Sequence, residues 1–391
     1  MSSDNPQTST VILPPAMLGM LGGGQLGRFF VMAAHEMGYT VTVLDPDKNS
    51  PAGKIADVHL CATYDDVAAL EAMAQSCAAV TTEFENVPAT TLQYLAQSVT
   101  VRPAAQSVAI AQNRVLEKNF LREAGLPVAP YAVIQTAQDL PENSSNLYPG
   151  ILKVARFGYD GKGQARVANQ AEALAAFASF SGNVCVLEQM LALDYEVSVV
   201  LARDVNGTIA AFPTAENSHL GGILDISIIP ARGSAEIRQQ AQVLASQVAE
   251  KLDYTGVLGV EFFVCNGALL VNEIAPRPHN SGHYTLDACT TNQFEQQVRV
   301  LTGLPLGSAR QHSQAVMVNI LGDSWKPDTV DASEPAWDKA FAQSELKLHL
   351  YAKQQARPGR KMGHFTVVGE VADLVLEKAM QARAALGIGE H

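Results

Sequence analysis

At roughly 150 residues per domain, a chain of 391 residues suggests two or three domains. Hydrophobic residues make up 47% and charged residues 17%, which excludes disordered, collagen-like and low-complexity architectures. The net charge of −12, from 27 Lys+Arg and 39 Asp+Glu, disfavours nonspecific attraction to nucleic acid or anionic membranes but leaves room for a local basic pocket.

The opening MSSDNPQTST has neither the basic region nor the apolar core of a secretory signal, and residues 1–15 read as a loose polar extension. No apolar run reaches the roughly 18 residues of a spanning helix. Cysteines at 61, 77, 185, 265 and 289 are odd in number and never form CxxC, which argues against a disulfide framework or a zinc site and for a cytoplasmic setting.

From Ala16 the pattern runs apolar strand, glycine turn, helix from about Gln25, strand Thr40–Leu44, and helix from about Asp65. Further strands at Ala79–Thr82 and Val99–Arg102 end in polar residues, so their carboxyl ends should face a crevice. The turn Gly22-Gly-Gly24-Gln-Leu-Gly27 matches GxGxxG, with Asp45 ending the second strand. Taken alone it is either a tight turn or an anion cradle, since glycines let amides approach a phosphate at a helix N-terminus.

Asn113–Ala124 reads as a helix ended by Gly125-Leu-Pro, with a domain boundary near 112. Strands Ile151–Ala155 and Ala165–Val167 flank Gly158-Tyr159-Asp160-Gly161-Lys162-Gly163, as in a hairpin lid whose amides could wrap phosphates while Lys153 neutralises them. It is not a Walker loop, because GxxxxGK[ST] is missing. Glu188, Gln189, Met190 and Leu191 read as a connector following a strand, with Glu196 beyond, suited to adenine and ribose.

Strands Gly256–Val264 and Leu269–Ile274, joined through Cys265-Asn-Gly267, should bring Glu261 and Glu273 together, and two hard oxygen donors suit Mg²⁺ bridging phosphates. Just downstream, Arg277, His279, Asn280, Ser281 and His283 crowd a proline-stiffened loop, which is a concentration of donors and proton-transfer groups. Helix Ala235–Leu252 and the surrounding strands suggest an α+β unit. Residues after 306 give short strands and a closing helix from Asp373 to Leu386. Lys353 and Arg357–His364 form a basic cluster that a substrate phosphate would explain.

Taken together, GGGQLGR, TEFENV (82–87), FGYDGKGQ (157–164), EQ at 188, NEIAPRPHNSGH (272–283) and RPGRKMGH (357–364) resemble the ATP-grasp superfamily and, within it, the N5-carboxyaminoimidazole ribonucleotide synthetase family. That resemblance spans about Ala16 to His364. It implies an α/β and α+β chain with the ATP-grasp fold: a Rossmann-like preATP-grasp domain at 16–112, an ATP-grasp domain at 113–305 with a hinged lid at about 128–192, and a small carboxyl-terminal region, 306–391, completing the substrate site. It also implies ATP as cosubstrate, Mg²⁺ with Mn²⁺ as a substitute, and a homodimer.

The same resemblance implies ATP contacts from Arg114, Lys153, Gly158 to Gln164, Glu188 to Leu191, Glu196, His219 and Asn272, and metal ligation by Glu261 and Glu273. Gln25, Leu26, Glu83, Asn280, Lys353, Arg360 and Lys361 would bind the ribonucleotide. Lys153 and the lid residues Tyr159, Asp160 and Lys162 would serve phosphoryl transfer, Arg277 would steady an acyl phosphate, and His279 or His283 would manage the amine proton. Some relatives carry a bulkier residue in the middle of the glycine turn, a departure expected to leave its amides undisturbed. A formate-dependent ribonucleotide transformylase, an NAD-dependent dehydrogenase and a noncatalytic nucleotide sensor are the rivals. HNSGH in place of an acidic HDTG-type loop argues against the first, and the unused Glu261, Glu273 and HNSGH argue against the second. The sensor would not need Arg277 or the basic tail.

Overall fold

A computed structural model describes residues 11–156, 158, 163–325 and 334–389. The first sheet holds β1 (Met17–Leu21), β2 (Thr40–Leu44), β3 (Val58–Leu60), β4 (Ala79–Thr82) and β5 (Thr100–Val101), all parallel in the order β3-β2-β1-β4-β5. Helices α1 (Gln25–Glu36), α2 (Val67–Ser76), α3 (Ala89–Leu95) and α4 (Ala105–Ala111) cross over between strands or follow the last. The central strands β1, β2 and β4 are buried because both faces are covered, by Phe30 and Val31 of α1 on one side and Leu70 and Met73 of α2 on the other. The crevice lies past the carboxyl ends of β1 and β4, where the chain reverses its direction of winding.

Helix α5 (Arg114–Glu123) starts at the Asn113 cap, whose side chain accepts from the Val115 amide, and Gly125 at φ +74° ends it. The lid sheet follows: β6 (Tyr131–Ile134), β7 (Gly150–Val154), β8 (Gln164–Val167) and β9 (Cys185–Gln189), antiparallel in the order β6-β9-β7-β8, with α6 (Gln170–Ser179) on one face. The expected hairpin is present, with Lys153 opposite Gln164. Tyr159, Asp160, Gly161 and Lys162 at its tip lie outside the described residues.

The large antiparallel sheet is built from β10 (Tyr195–Arg203), β11 (Ile209–Ala211), β12 (Ala215–Leu220), β13 (Ile223–Ile229), β14 (Gly256–Cys265) and β15 (Ala268–Ala275). Helix α7 (Ala235–Lys251) packs on it, and the short α8 (Thr285–Ala288) and α9 (Gln293–Thr302) follow. Asn266 and Gly267 both have positive φ, so a two-residue turn of the primed type sets the β14–β15 register.

The carboxyl-terminal segment differs from expectation. Two of the expected short strands are long, and β16 (Gln314–Leu321), β17 (Leu346–Leu350) and β18 (Lys361–Gly369) extend the same sheet, which runs β15-β14-β10-β12-β13-β16-β18-β17. The apolar alternation of β16 buries Val316, Val318 and Ile320 against α11 (Ala372–Ala385), and α10 (Trp337–Ala340) packs beside that helix. The amino-terminal extension is also not loose over residues 11–15. The Ile12 amide donates to Thr302 O (2.8 Å) and the Tyr39 hydroxyl donates to Ile12 O (2.8 Å), tying this segment to the ends of α9 and α1.

Candidate active site

Helix α5 turns one polar face toward the lid. Arg114, Glu117 and Lys118 lie at i, i+3 and i+4 and so share a side of the helix. Lys118, fully buried, donates to Asn272 O (2.9 Å) and lies 3.2 Å from Glu188 Oε2. Lys153 on β7 lies 3.1 Å from the other oxygen of Glu188. Burial raises the Glu188 carboxyl, but the two lysines outweigh it and hold it down at about 2. Glu188 is therefore not on a connector: it sits inside β9, and its carboxylate is engaged by two lysines. Only Met190 and Leu191 lie beyond that strand.

Glu261 and Glu273 are direct cross-strand partners, as expected, at a bulge between β14 and β15. Each carboxylate has a nitrogen partner: Arg114 lies 3.2 Å from Glu273, and His279 Nε2 lies 3.2 Å from Glu261. Burial would raise the Glu261 carboxyl, but His279, His219 and Lys361 hold it well below its usual range. His219, on β12, is 3.1 Å from Glu196 on β10, so two residues expected at the nucleotide do meet. A cleft lined by Glu85, Gln112, Arg114, Gly158 and Glu273 runs from Glu273 to the lid hairpin.

The loop after β15 is pinned from several sides. Arg277 is ion-paired with Glu85, whose carboxyl burial would raise but whose contact with Arg277 holds it at about 2. His279 bridges Glu261 and Ser281, its Nδ1 lying 2.8 Å from the Ser281 hydroxyl. Both polar side-chain atoms of Asn280 are buried without a partner within the protein, which suits a residue waiting for a ligand.

His283 is a different case. It is fully buried among Phe29, Phe294, Tyr351 and His364, and burial pushes its pKa well below the usual value. Burial thus favours its neutral ring, whereas His279 is only half-buried beside Glu261.

The glycine turn departs most from expectation. Its amides are filled from within: the Gly23 amide donates to Asp45 (2.7 Å), and the Gly24 and Gly27 amides donate to the two oxygens of Glu83, the latter at 2.7 Å. It is not an open phosphate cradle, and Asp45 serves as a cap on the turn. In this chain the middle position is tight: a Cβ on Gly23 would stand 2.5 Å from the Ser50 side chain and 2.8 Å from that of Asp45. Leu26 faces the core, leaving only its backbone for a ligand.

The basic tail crosses back onto this turn. Lys353 donates to Lys361 O (2.7 Å) and its charge acts on Glu83; Asp47 acts on Arg360; Gln354 donates to Asn49 (3.4 Å). Lys361, at the start of β18, acts on Glu261. The crevice thus draws on all three sheets.

Sequence reasoning missed Glu85, Glu117, Lys118 and Gln293. Glu85 stood within a quoted motif, and Glu117 and Lys118 follow Arg114 at helical spacing, so a search for charges on one buried helix face could have found them. Glu117, one per cent exposed and pushed up to about 8 by burial and by Glu273, accepts from the Ile274 amide at 2.6 Å. No sequence signal singled out Gln293.

A lysine on a hinged antiparallel lid, a carboxylate pair on the neighbouring hairpin, and a parallel-sheet domain across the crevice together define an ATP-grasp ligase architecture. An ATP-grasp domain model matches residues 119–294, a ribonucleotide synthetase preATP-grasp domain model residues 16–112, and a phosphoribosylaminoimidazole carboxylase C-terminal domain model residues 315–378. The N5-carboxyaminoimidazole ribonucleotide synthase of Bacillus subtilis is 43% identical over 93% of this chain and 94% of its own. A crystal structure of an N5-carboxyaminoimidazole ribonucleotide synthetase in complex with ADP is 41% identical, with a TM-score of 0.89 over 96% of this chain and 98% of its own. The Aspergillus clavatus enzyme in complex with ADP and 5-aminoimidazole ribonucleotide is 32% identical, with a TM-score of 0.86 over 95% of this chain and 98% of its own. The chain belongs to the N5-carboxyaminoimidazole ribonucleotide synthase family.

Proposed function

We propose that the protein is an ATP-dependent ligase that carboxylates 5-aminoimidazole ribonucleotide with bicarbonate, in purine biosynthesis. A bicarbonate oxygen attacks the γ-phosphorus of ATP, ADP leaves, and carboxyphosphate forms. The exocyclic amine then takes the carboxyl group, losing a proton, and phosphate departs. The observation that carries this reading, beside the family, is the juxtaposition of a phosphate-binding set with a basic tail: Lys153, Arg114 and the Glu261–Glu273 pair on one side, and Lys353, Arg360 and Lys361 on the other.

In this reading Arg114, Lys153, Gly158 to Gln164, Gln189 to Leu191, Glu196, His219 and Asn272 bind ATP. Glu188 contributes through its backbone and by holding Lys153. Gln25, the Leu26 backbone, Asn280 and the tail cations hold the ribonucleotide, while Glu83 shapes the turn beneath it. Arg277, fixed by Glu85, faces the acyl phosphate. His279 takes the amine proton. Such catalysis is chiefly positioning and charge neutralisation.

The donor set fits Mg²⁺, with Mn²⁺ as a substitute: two hard carboxylates beside Asn272, and no group of three His, Cys, Asp or Glu among the described residues that would make an all-protein cage. When bound, the ion neutralises charge on the β- and γ-phosphates. We also read regions 16–112, 113–305 with a lid at about 128–192, and 306–391 as the working units, and the enzyme as a cytoplasmic homodimer. No helix of the described residues is long and apolar enough to cross a membrane.

Phosphate release measured with aminoimidazole against glycinamide ribonucleotide, each with bicarbonate or formate, tests the proposal. Turnover requiring the first of each pair is expected, and preference for glycinamide ribonucleotide with formate would overturn it.

A further inference from the structure

Helix α9 begins with a feature that neither composition nor periodicity explains. Gln293, Gln296 and Gln297 stand at i, i+3 and i+4 and are all buried, the first two fully. Long amides are rarely buried unless their polar atoms are satisfied, and each of these is bonded to a different part of the chain, Gln297 through its nitrogen only. Gln296 pairs with both backbone groups of Gly307, at 2.7 and 3.0 Å. Gln297 donates to the Thr81 hydroxyl and to Thr82 O, both at 3.2 Å, just before Glu83.

Gln293 reaches the loop of the candidate site. Its Oε1 accepts from the His279 amide (2.9 Å) and its Nε2 donates to His279 O (2.9 Å). These two contacts settle which way the carboxamide points, because the reversed amide would set N–H against N–H and oxygen against oxygen. The same Nε2 lies 3.1 Å from His283 Nδ1. Since that nitrogen faces an N–H donor, it must carry a lone pair. His283, held neutral by burial, therefore bears its proton on Nε2.

The hold on the loop is closed from the other end. The Gln293 amide donates to Thr285 Oγ1 (3.1 Å), and that hydroxyl donates to Gly282 O (2.7 Å). A side chain at position 282 would collide with this arrangement, its Cβ standing 2.6 Å from Gln293 Oε1. His279 is thus fixed at its backbone by Gln293 and at its ring by Ser281 and Glu261.

We propose that Gln293 is a positioning residue for the carboxylation site: its carboxamide fixes the backbone of His279 and, through the same nitrogen, sets His283 as the Nε2–H tautomer. The functional half of this rests on the reading given above; the tautomer half does not. Gln293 touches neither substrate nor metal, and it acts through the loop.

The test uses the full-length protein and three variants. Gln293→Met keeps the volume and removes both amide contacts. Gln293→Glu keeps an acceptor for the His279 amide but sets a second oxygen against His279 O and His283 Nδ1. Gln296→Met removes an equivalent buried clamp that holds Gly307 instead. Nitrogen-15 histidine NMR reports which ring nitrogen of His283 carries the proton: Nε2 is expected in the wild type and Nδ1 in Gln293→Glu. A proton on Nδ1 in the wild type overturns the assignment whatever the enzyme does.

For turnover, a misplacement of the loop by about 1 Å is expected to lower kcat about a hundredfold in Gln293→Met, with the KM for ATP changed less than about twofold. Gln296→Met should lose a similar number of degrees in melting temperature and keep its kcat. Equal losses of kcat in the two glutamine-to-methionine variants would reduce Gln293 to a structural residue and overturn the positioning role. Should the wild type fail to carboxylate aminoimidazole ribonucleotide, the functional reading falls while the NMR result still decides the tautomer.

Discussion

Lys118→Met is the perturbation whose cost the structure defines most directly. The side chain is fully buried and neutralises Glu188 together with Lys153, at 3.2 and 3.1 Å. Removing one member of a buried ion pair costs about 3–5 kcal/mol, and because Glu188 keeps Lys153 the expectation here falls below that range, about 2–3 kcal/mol. Over 391 residues the unfolding entropy is about 0.8 kcal/mol/K, so the melting temperature should fall by about 2–4 °C. The acid limb should move as well. Glu188 is held at about 2 against an ordinary 4.5, so its roughly 3 kcal/mol of stabilisation is present above pH 4.5 and lost as pH falls toward 2. With Lys118 gone that carboxyl titrates higher and acid unfolding begins at higher pH. Melting scans between pH 3 and 7 measure both effects. Glu188→Gln in the Lys118→Met background should recover at least about 1.5 kcal/mol relative to additivity, because no unpaired carboxylate then remains. Simple addition of the two losses would refute the claim that the triad acts as one unit.

Glu273→Gln should abolish Mg²⁺-dependent phosphate release with little change in melting temperature, since the group is partly exposed and its pair with Arg114 contributes at most about 1 kcal/mol; full activity at ordinary Mg²⁺ would remove the metal assignment. Lys353→Ala and Arg360→Ala should each weaken ribonucleotide binding about tenfold to a hundredfold while ATP affinity holds, as read by parallel titrations at low salt. An equal loss for both ligands would make the tail structural. Gly23→Ala should cost about 1–3 kcal/mol through overpacking against Ser50 and Asp45, and unchanged denaturant midpoints would contradict the tight turn.

Local pattern was readable where neighbours in sequence decide the structure. The strands Thr40–Leu44 and Ala79–Thr82, the Asn113 cap and the Asn266-Gly267 turn depend on periodicity, capping and turn chemistry confined to a few residues. The turn brings Glu261 and Glu273 to the same stretch of the hairpin, but their direct pairing also needs the bulge between Glu261 and Phe262, which the sequence did not reveal. What sequence could not reveal was who occupies a donor. The glycine turn had every property of an anion site, yet the anions are Asp45 and Glu83, the latter 59 residues from Gly24. Burial was equally invisible at His283, where the same residue type that titrates on a surface is kept neutral by packing from helices α1 and α9 and the tail. The long carboxyl-terminal extension of the main sheet depends on pairing between β13 and β16, which lie far apart in the chain.

A chain of net charge −12 that binds two phosphorylated ligands must keep its cations from being neutralised wastefully, and the arrangement here suggests how. Arg114, Lys153 and Arg277 each stand beside one carboxylate, respectively Glu273, Glu188 and Glu85, and the His279 ring stands beside Glu261. Desolvating these groups without ligands would be costly if they were unpaired, so the pairs keep the crevice stable when it is empty. They also set a threshold for entry. A ligand gains only the difference between its own contacts and the pair it disturbs, so a single anion gains little, whereas on the proposed reading a triphosphate with its metal ion would engage several of these pairs at once. Glu188 is the exception that makes the exchange workable: because Lys118 remains with it, Lys153 can turn to a phosphate without leaving a buried carboxylate uncompensated.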